Sequence, residues 1–274
     1  MAWTGCAALG VAAEHAPQLK PPTFFRPHYD ARQANGVKPR ASGGAVVVNA
    51  ASYEPGVSPG DLATIFGDNL TSVNGIVLAG SDPFPTRLAG VQVFINGFAA
   101  PIYGIAYANG EDQISVQVPY ETPVGPNAAE IQVYNQGTLV ADFFSDSFTE
   151  DPGIFTYDNG LAIAQASDYS LIGPDNPAIP GEPLVLYVTG LGPLNQNLPD
   201  GYGAPTNPLA RTIDPFQVVL DHEDCAVFFS GLTPGLVGVY QINFYVPQDA
   251  ASGNLPIFIQ DAYANSAVAT LPVE

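Results

Sequence analysis

Two stretches decide how this chain folds: EDQISVQVP at residues 111–119 and VYQINFYVP at residues 239–247. Both alternate apolar and polar side chains with a period of two and end in Val-Pro, the pattern of a half-buried strand that stops at proline. Their inward-facing apolar positions are filled in the same order, by Ile114, Val116 and Val118 and then by Ile242, Phe244 and Val246. The polar residues between them face the other way. One core strand is therefore written twice.

The similarity extends on both sides of the doubled strand. Three further pairs of segments correspond: 58–70 with 179–191, 90–103 with 215–229, and 125–134 with 252–260. The repeating unit is more than a hundred residues long, which indicates a duplicated domain, because solenoid repeats are far shorter.

Composition favours many short strands joined by tight turns. The 274 residues include 28 Gly and 27 Pro, and only 12% are charged. Hairpin signals occur at Asn74-Gly75, Asn96-Gly97, Asn109-Gly110 and Asn159-Gly160. We predict an all-β protein of two tandem Ig-like β-sandwich domains, residues 45–150 and 151–274, preceded by an extended N-terminal arm. The short junction at 149–155 predicts a stiff rod.

The predicted arm, residues 1–44, does not fit the repeat. Its stretch PPTFFRPHYDARQ at 21–33 has three prolines and no sustained periodicity, which predicts an extended segment that does not fold alone. The arm holds five basic and two acidic residues, a net charge of +3, whereas the rest of the chain holds two basic and 24 acidic residues, a net charge of −22. The body therefore repels nucleic acid and anionic lipid and attracts the arm.

The first 13 residues, MAWTGCAALGVAA, are mildly apolar and end in a sequence suited to signal peptidase. They are interpreted as a residual signal segment. The longest apolar runs fall short of the roughly 18 residues of a membrane-spanning helix, so no membrane span is predicted.

Seven motifs together resemble an uncharacterised C-terminal Ig-like domain family of secreted bacterial proteins, mainly acidobacterial. They are VVNAASYEPG, SPGDLATIFGDNL, LAGVQVFINGFAAPIY, QISVQVP, PGIF, PGEPLVLYVTGLGP and GLVGVYQINFYVP, spread over residues 46–274. The resemblance implies an Ig-like fold and an extracellular or cell-surface location in a bacterium, and it carries over no site residue.

Catalytic and metal patterns are weak. His222 lies among Asp221, Glu223, Asp224 and Cys225, but neighbours on one strand point in alternate directions, so a solvated hairpin tip is favoured over a nucleophile set. Cys6 and Cys225 are either a disulfide, within one chain or between copies, or free thiols. No metal site or cofactor is predicted. Structural calcium at the loop-end acids remains an alternative to solvated turns for 111–112, 150–151, 158–160 and 223–224.

Four aromatic residues are predicted on outward faces of strands: Phe94, Tyr134, Tyr245 and Phe258. Two interpretations stand side by side. Outward aromatics mark a covered interaction surface, or they form cross-strand pairs that stabilise each sheet.

The leading functional hypothesis is a non-enzymatic extracellular structural protein, the subunit of a self-assembling filament or surface layer whose partners are copies of itself. The arm adds a strand to the neighbouring subunit. Its predicted anchors are Phe24, Phe25, Arg26, Tyr29 and Arg32. The alternative is a monomeric adhesion or carbohydrate-binding module that binds a surface glycan through Tyr103, Tyr107 and Tyr202.

Overall fold

The computed structural model describes residues 44–80, 82–108 and 110–274, and every regular element in those ranges is a β-strand. The strands are β1 Ala45–Asn49, β2 Leu62–Gly67, β3 Ile76–Leu78, β4 Val91–Ile95, β5 Phe98–Ala100, β6 Ile102–Ala108, β7 Glu111–Gln117, β8 Gly125–Asn135, β9 Thr138–Ser147, β10 Gly153–Ile154, β11 Ala164–Ala166, β12 Pro183–Thr189, β13 Gln217–Leu220, β14 Glu223–Leu232, β15 Tyr240–Tyr245, β16 Gly253–Gln260 and β17 Ala269–Val273. The all-β prediction is confirmed.

The N-terminal half, β1 to β9, forms two sheets with the orders β1-β2-β7-β6-β3 and β5-β4-β8-β9. Apart from β3, this is the strand order of an immunoglobulin-type sandwich. The alternate residues that the sequence assigns to the interior, such as Val93, Ile114 and Ile131, are fully buried in one cluster. The period-two pattern therefore places one face of each sheet in a shared core.

The C-terminal half, β10 to β17, joins its strands in one sheet with the order β10-β12-β15-β14-β13-β16-β17, and β11 also pairs with β12. The long strand β14 makes this connection, because its first residues pair with β13 and its later residues pair with β15. In the N-terminal half the counterpart of β14 is interrupted at Pro101 and forms two strands, β5 and β6. Proline has no N–H to continue the ladder.

The doubled sequence occupies corresponding central strands. The strand β7 lies between β2 and β6, and β15 lies between β12 and β14. The inward residues are buried as predicted, but so are the polar residues on the other face, including Gln113, Gln117, Gln241 and Asn243. These polar residues are buried because the outer faces of the two sheets are covered. The alternation within a single strand cannot predict this cover.

Part of that cover comes from the opposite half of the chain. A third apolar cluster combines Ala50, Ala51 and Leu62 with Phe155, Ile163, Tyr187, Leu236 and Val239. The Thr189 hydroxyl stabilises this contact through two hydrogen bonds. It accepts one from the Leu62 N–H at 3.0 Å and donates one to the Gly238 carbonyl at 2.8 Å. A Cβ at Gly238 would lie 2.9 Å from the Leu62 side chain, so this position requires glycine. The halves thus pack through side chains as well as through their short connection.

The hairpin turns follow the repeat. Asn96 and Gly97 adopt positive φ between β4 and β5, and Asp221 and His222 do the same between β13 and β14. His222 lies exposed at this tip, as the hairpin interpretation predicted. The proposed division into independent domains at residue 150 stays a prediction.

Candidate functional site

The strand β9 is the longest sheet edge among the described residues, with ten residues. On one side it pairs with β8. On the other side β1 comes close without pairing. Among the described residues only Val57 makes main-chain hydrogen bonds there, donating its N–H to the Asp146 carbonyl at 3.2 Å and accepting the Phe148 N–H at 2.8 Å. Residues 138–145 have no strand hydrogen bonded to them on that side within the described parts of the chain.

The main-chain groups of Phe144 point to the open side of this edge. Phe144 stands opposite Glu130 of β8, and the Glu130 carbonyl points away from β9, where it accepts the Asn96 N–H at 2.9 Å. Antiparallel pairs alternate between exchanging both hydrogen bonds and exchanging none. The Phe144 N–H and carbonyl are therefore directed outward, like the Asp146 carbonyl that Val57 binds.

The corresponding edge of the C-terminal half, β17, is covered. Ala178 repeats the contact of Val57, since its N–H donates to the Pro272 carbonyl at 2.8 Å and its carbonyl accepts the Glu274 N–H at 2.9 Å. Farther along, the Ala162 N–H donates to the Thr270 carbonyl at 2.8 Å, and the Thr270 N–H donates to the Gly160 carbonyl at 3.0 Å. A short parallel strand thus lies on β17.

The two edges can be compared residue by residue. Val57 precedes SPGD and Ala178 precedes IPGE in the repeated sequence, and their strand partners are Ser147 and Val273. Counting three residues back along each strand makes Phe144 the counterpart of Thr270. Phe144 is 59% exposed, whereas at the matching position the N–H and the carbonyl of Thr270 are both hydrogen bonded to residues 160 and 162.

The segment that covers β17 has no counterpart among residues 44–150 as far as the structure describes them. It is part of residues 155–163, which leave the sheet between β10 and β11 and return through the Thr156–Ala162 bridge. In the N-terminal half the corresponding strand, β1, runs without interruption along β2. The open edge of β9 is a direct consequence of this missing excursion.

The open edge is apolar and flanked by carboxylates. Leu139, Val140 and Phe144 are exposed by 45%, 37% and 59%, while Asp142 and Asp146 alternate with them on the same strand. Exposed apolar edge strands are templates for pairing with another chain. Sequence reasoning missed this site, because VADFFSDS at 140–147 does not alternate strictly between apolar and polar residues. The adjacent Phe143 and Phe144 place one aromatic ring on each face of the strand.

The four predicted outward aromatics do point away from the cores, but only Phe94 and Tyr134 contact each other, and the four do not form one surface. Phe94 and Tyr134 form an edge-to-face pair with ring centroids 5.7 Å apart, and Tyr245 packs on Phe228 at 5.0 Å. Phe258 lies on β16, half-buried. Both pairs lie within one half each, which fits cross-strand stabilisation.

The predicted arm anchors Phe24, Phe25, Arg26, Tyr29 and Arg32 lie outside the described residues, as does Cys6. Cys225 is buried, and burial raises the pKa of its thiol to about 12. Its pairing with Cys6 therefore stays a prediction. Such a thiol is a poor nucleophile at neutral pH, because the thiolate is the reactive form.

The tyrosines of the alternative hypothesis are in three different surroundings. Tyr103 packs against the cluster between the halves, and Tyr202 is 52% exposed on a loop. Tyr107 lines a cavity of about 490 Å³ in the N-terminal half. A larger cavity of about 590 Å³ lies between the halves, beside Tyr120 and Asn197.

Several carboxyl groups at the junction of the halves are buried. Asp61 is fully buried, and burial, followed by the nearby Asp151 charge, raises its pKa well above the usual value. Burial likewise raises the pKa of Asp151 to about 6, against the hydrogen bond from Asn49, and that of Glu150 to about 7, with Asp261 and Asp214 adding to the effect. Within the described ranges no three acidic, His or Cys side chains are grouped to hold a metal ion.

Comparisons with known proteins give no family. No protein-family model and no curated protein matches the chain. Among solved structures it is similar to SGBP-B of a Bacteroides ovatus mixed-linkage glucan utilization locus, in complex with a heptasaccharide, at 11% identity and a TM-score of 0.31 over 80% of this chain and 43% of that one. Domains 5–6 of the S-layer protein SbsC match at 12% identity and a TM-score of 0.25, over 79% of this chain and 91% of that one.

The I9–I11 tandem of titin matches at 11% identity and a TM-score of 0.21, over 80% of this chain and 62% of that one. The chain spans less than half the length of the Bacteroides protein, and likeness at this level carries no conclusion about function. In the described residues, no helix is long and apolar enough to span a membrane.

Proposed function

We propose that this chain is a non-enzymatic extracellular structural protein of a bacterium, and that its copies assemble into a filament or surface layer. The arm of one copy adds a strand to the open edge of β9 in the next. The partner is therefore another copy of the chain, and main-chain hydrogen bonds supply most of the attachment.

The uncovered edge of β9 is the observation that carries this proposal. Within the same molecule, the Gly160–Ala162 segment meets the corresponding edge of β17 through two hydrogen bonds at Thr270. The fold therefore accepts a parallel strand at this position. An arm segment bound at Phe144 repeats in a second copy what residues 160–162 do within one.

Charge complementarity favours the arm as the occupant. The arm carries a net charge of +3, whereas residues 45–274 carry −22 with Arg87 and Arg211 as their only basic side chains. Asp142 and Asp146 flank the exposed Phe144 along β9. In the proposed contact Phe24, Phe25 and Tyr29 pack on the apolar edge residues, and Arg26 and Arg32 meet the carboxylates.

The length of the arm permits exchange between copies. Forty-three residues precede Gly44, and an extended chain of this length reaches on the order of 140 Å. That is several times the diameter of one sandwich, so an arm can reach a neighbour. Repetition of the same head-to-tail contact produces an open polymer.

The proposal is tested by comparing the full chain with a chain that starts at Gly44, using light scattering and electron microscopy at low and high salt. The full chain is expected to form polymers that weaken as salt rises, and the shortened chain is expected to stay monomeric. A full chain that remains monomeric throughout, with circular dichroism showing that it is folded, would contradict the proposal.

A further inference from the structure

A cavity of about 490 Å³ opens on the N-terminal half, where the β2–β3 connection faces the end of β6. Its walls come from Asp68 to Asn74 on one side and from Tyr107 and the start of β7 on the other. It lies at the β6-β3 side of the first sheet, whereas β9 belongs to the second sheet. One lining residue, Ser72, is hydrogen bonded to Asn135, which stands opposite Thr138 at the start of β9. The lining does not include Phe144, the residue at the centre of the proposed assembly edge.

Three polar side chains in this cavity are free to bind a ligand. Asp68, Asn69 and Asn74 are exposed, and their side chains are not among the hydrogen-bonded groups of the described residues, although the Asp68 main-chain N–H is bound by the Gly44 carbonyl. Together they offer one carboxylate and two amides, which can both accept and donate hydrogen bonds.

Hydrogen bonds from the body of the sandwich hold the loop at residues 68–74, which carries these groups, in place. The buried Asp112 carboxylate accepts hydrogen bonds from the Leu70 N–H at 2.8 Å, the Thr71 N–H at 3.2 Å and the Thr71 hydroxyl at 2.9 Å. Asn135 adds a bond of 3.0 Å from its Nδ2 to the Ser72 hydroxyl. A site built this way loses little conformational entropy when a ligand binds.

Tyr107 gives the cavity an aromatic wall. Its side chain is 47% exposed although it lies in a regular strand. A tyrosine ring offers a flat apolar face and a polar hydroxyl at its edge. The C–H face of a pyranose ring fits such a surface, while its hydroxyl groups need carboxylate and amide partners like those opposite.

We propose that this cavity binds a neutral carbohydrate, with Tyr107 stacking on one sugar ring and Asp68, Asn69 and Asn74 hydrogen bonding to its hydroxyls. An anionic sugar is disfavoured, because the Asp68 carboxylate and the net charge of −22 over residues 45–274 repel it. The volume of about 490 Å³ accommodates one or two sugar units, within the usual range of small-molecule sites.

The test titrates the full chain by calorimetry with cellotetraose, laminaritetraose, mannotetraose and, as the anionic probe, tetragalacturonate, each in buffer containing EDTA. At least one neutral tetraose is expected to bind and tetragalacturonate is not. Tyr107→Ala should weaken that binding by at least about tenfold, and Asn74→Ala by about three- to tenfold.

Tyr263→Ala is the matched control, because Tyr263 is 83% exposed on the β16–β17 connection, away from the cavity. It should leave the affinity unchanged. A parallel titration replaces EDTA with calcium. Three results would overturn the proposal: no neutral tetraose binds in either buffer, binding survives Tyr107→Ala, or binding occurs with calcium and is lost in EDTA. Each result is independent of polymer formation, so a failed sugar site and a failed assembly are distinguishable.

Discussion

The two halves of this molecule end their sheets in opposite ways. Residues 160–162 and Ala178 hydrogen bond to the outer edge of β17, whereas among the described residues only Val57 does so at the matching edge of β9. Both edges belong to the same strand of the repeated fold, so the difference does not come from topology. It comes from the segment 155–163, which one half has and the other lacks. A small insertion thus decides whether a sheet edge is closed within the chain or open to another chain.

Proline at the two matched positions, Thr270 and Phe144, tests most directly whether one edge is closed and the other open. Thr270→Pro removes the N–H that Gly160 accepts, and we expect the free energy of unfolding to fall by about 2–3 kcal/mol. Phe144→Pro removes an N–H without a described partner, and we expect a change of about 0.5 kcal/mol or less. Urea denaturation of both variants in the chain that starts at Gly44 measures the difference.

In the full chain the same pair of variants separates stability from assembly. Phe144→Pro is expected to abolish polymers while the protein stays folded, and Thr270→Pro is expected to keep them wherever it folds. Polymers of normal length with Phe144→Pro, seen by electron microscopy, would show that β9 is not the acceptor edge.

The buried carboxyl groups at the junction of the halves predict that the free energy of unfolding changes with pH. Burial raises the pKa of Asp151 from its ordinary 3.8 to about 6, so its contribution to stability is fully present below about pH 4 and is lost as pH rises through 6. We expect Asp151→Asn to flatten the stability profile between pH 4 and 7 by about 2–3 kcal/mol. Asp142→Asn, on the exposed edge of β9, is the control for a change of charge alone. A wild-type stability that rises over this interval would contradict the assignment.

Each half has one aromatic pair on an outer face, and the coupling energies of the two pairs can be compared. Double-mutant cycles on Phe94 with Tyr134 and on Phe228 with Tyr245 should each give a coupling energy of about 0.5–1.5 kcal/mol. Similar values in both halves, measured by chemical denaturation, would support cross-strand stabilisation. A Phe94→Ala variant that folds normally but no longer assembles would instead make this face an interface.

The smallest expected effect concerns Cys225, which stands opposite Val218 where Ala100 stands opposite Val93 in the N-terminal half. Because alanine fills the matching position, Cys225→Ala should cost about 1 kcal/mol or less. The native thiol should also resist iodoacetamide at pH 8, since burial raises its pKa to about 12. Rapid labelling in the folded protein, detected by mass spectrometry, would contradict this.

The fold was largely readable from the sequence because the repeat states each strand twice. The inward positions Val93, Ile114, Ile131 and Ile257 are all fully buried, as the alternation predicts. Period-two patterns report which face of a strand is buried against its own core. They do not report a second covered face, and this is why the burial of Gln117 and Asn243 was missed.

The candidate sites were harder to predict. The β9 edge is open because no described segment pairs with it as residues 160–162 pair with β17. This difference can be seen only when the spatial neighbours of the two strands are compared. The cavity at Tyr107 depends on a carboxylate, Asp112, that lies about forty residues from the loop it holds. The sequence analysis did name Tyr107, but as one of three loop-end tyrosines of a glycan-binding alternative, and the other two lie elsewhere in the structure.

The parallel arrangement at these edges has a mechanical consequence. When two strands lie side by side and are pulled along their length, their hydrogen bonds are loaded together in shear and resist as a group. A contact pulled across its length opens one bond at a time, as a zipper does. Val57 runs parallel to β9 at Ser147, as Leu161 runs parallel to β17 at Thr270. An arm seated in the same direction would carry tension between subunits through all of its bonds at once.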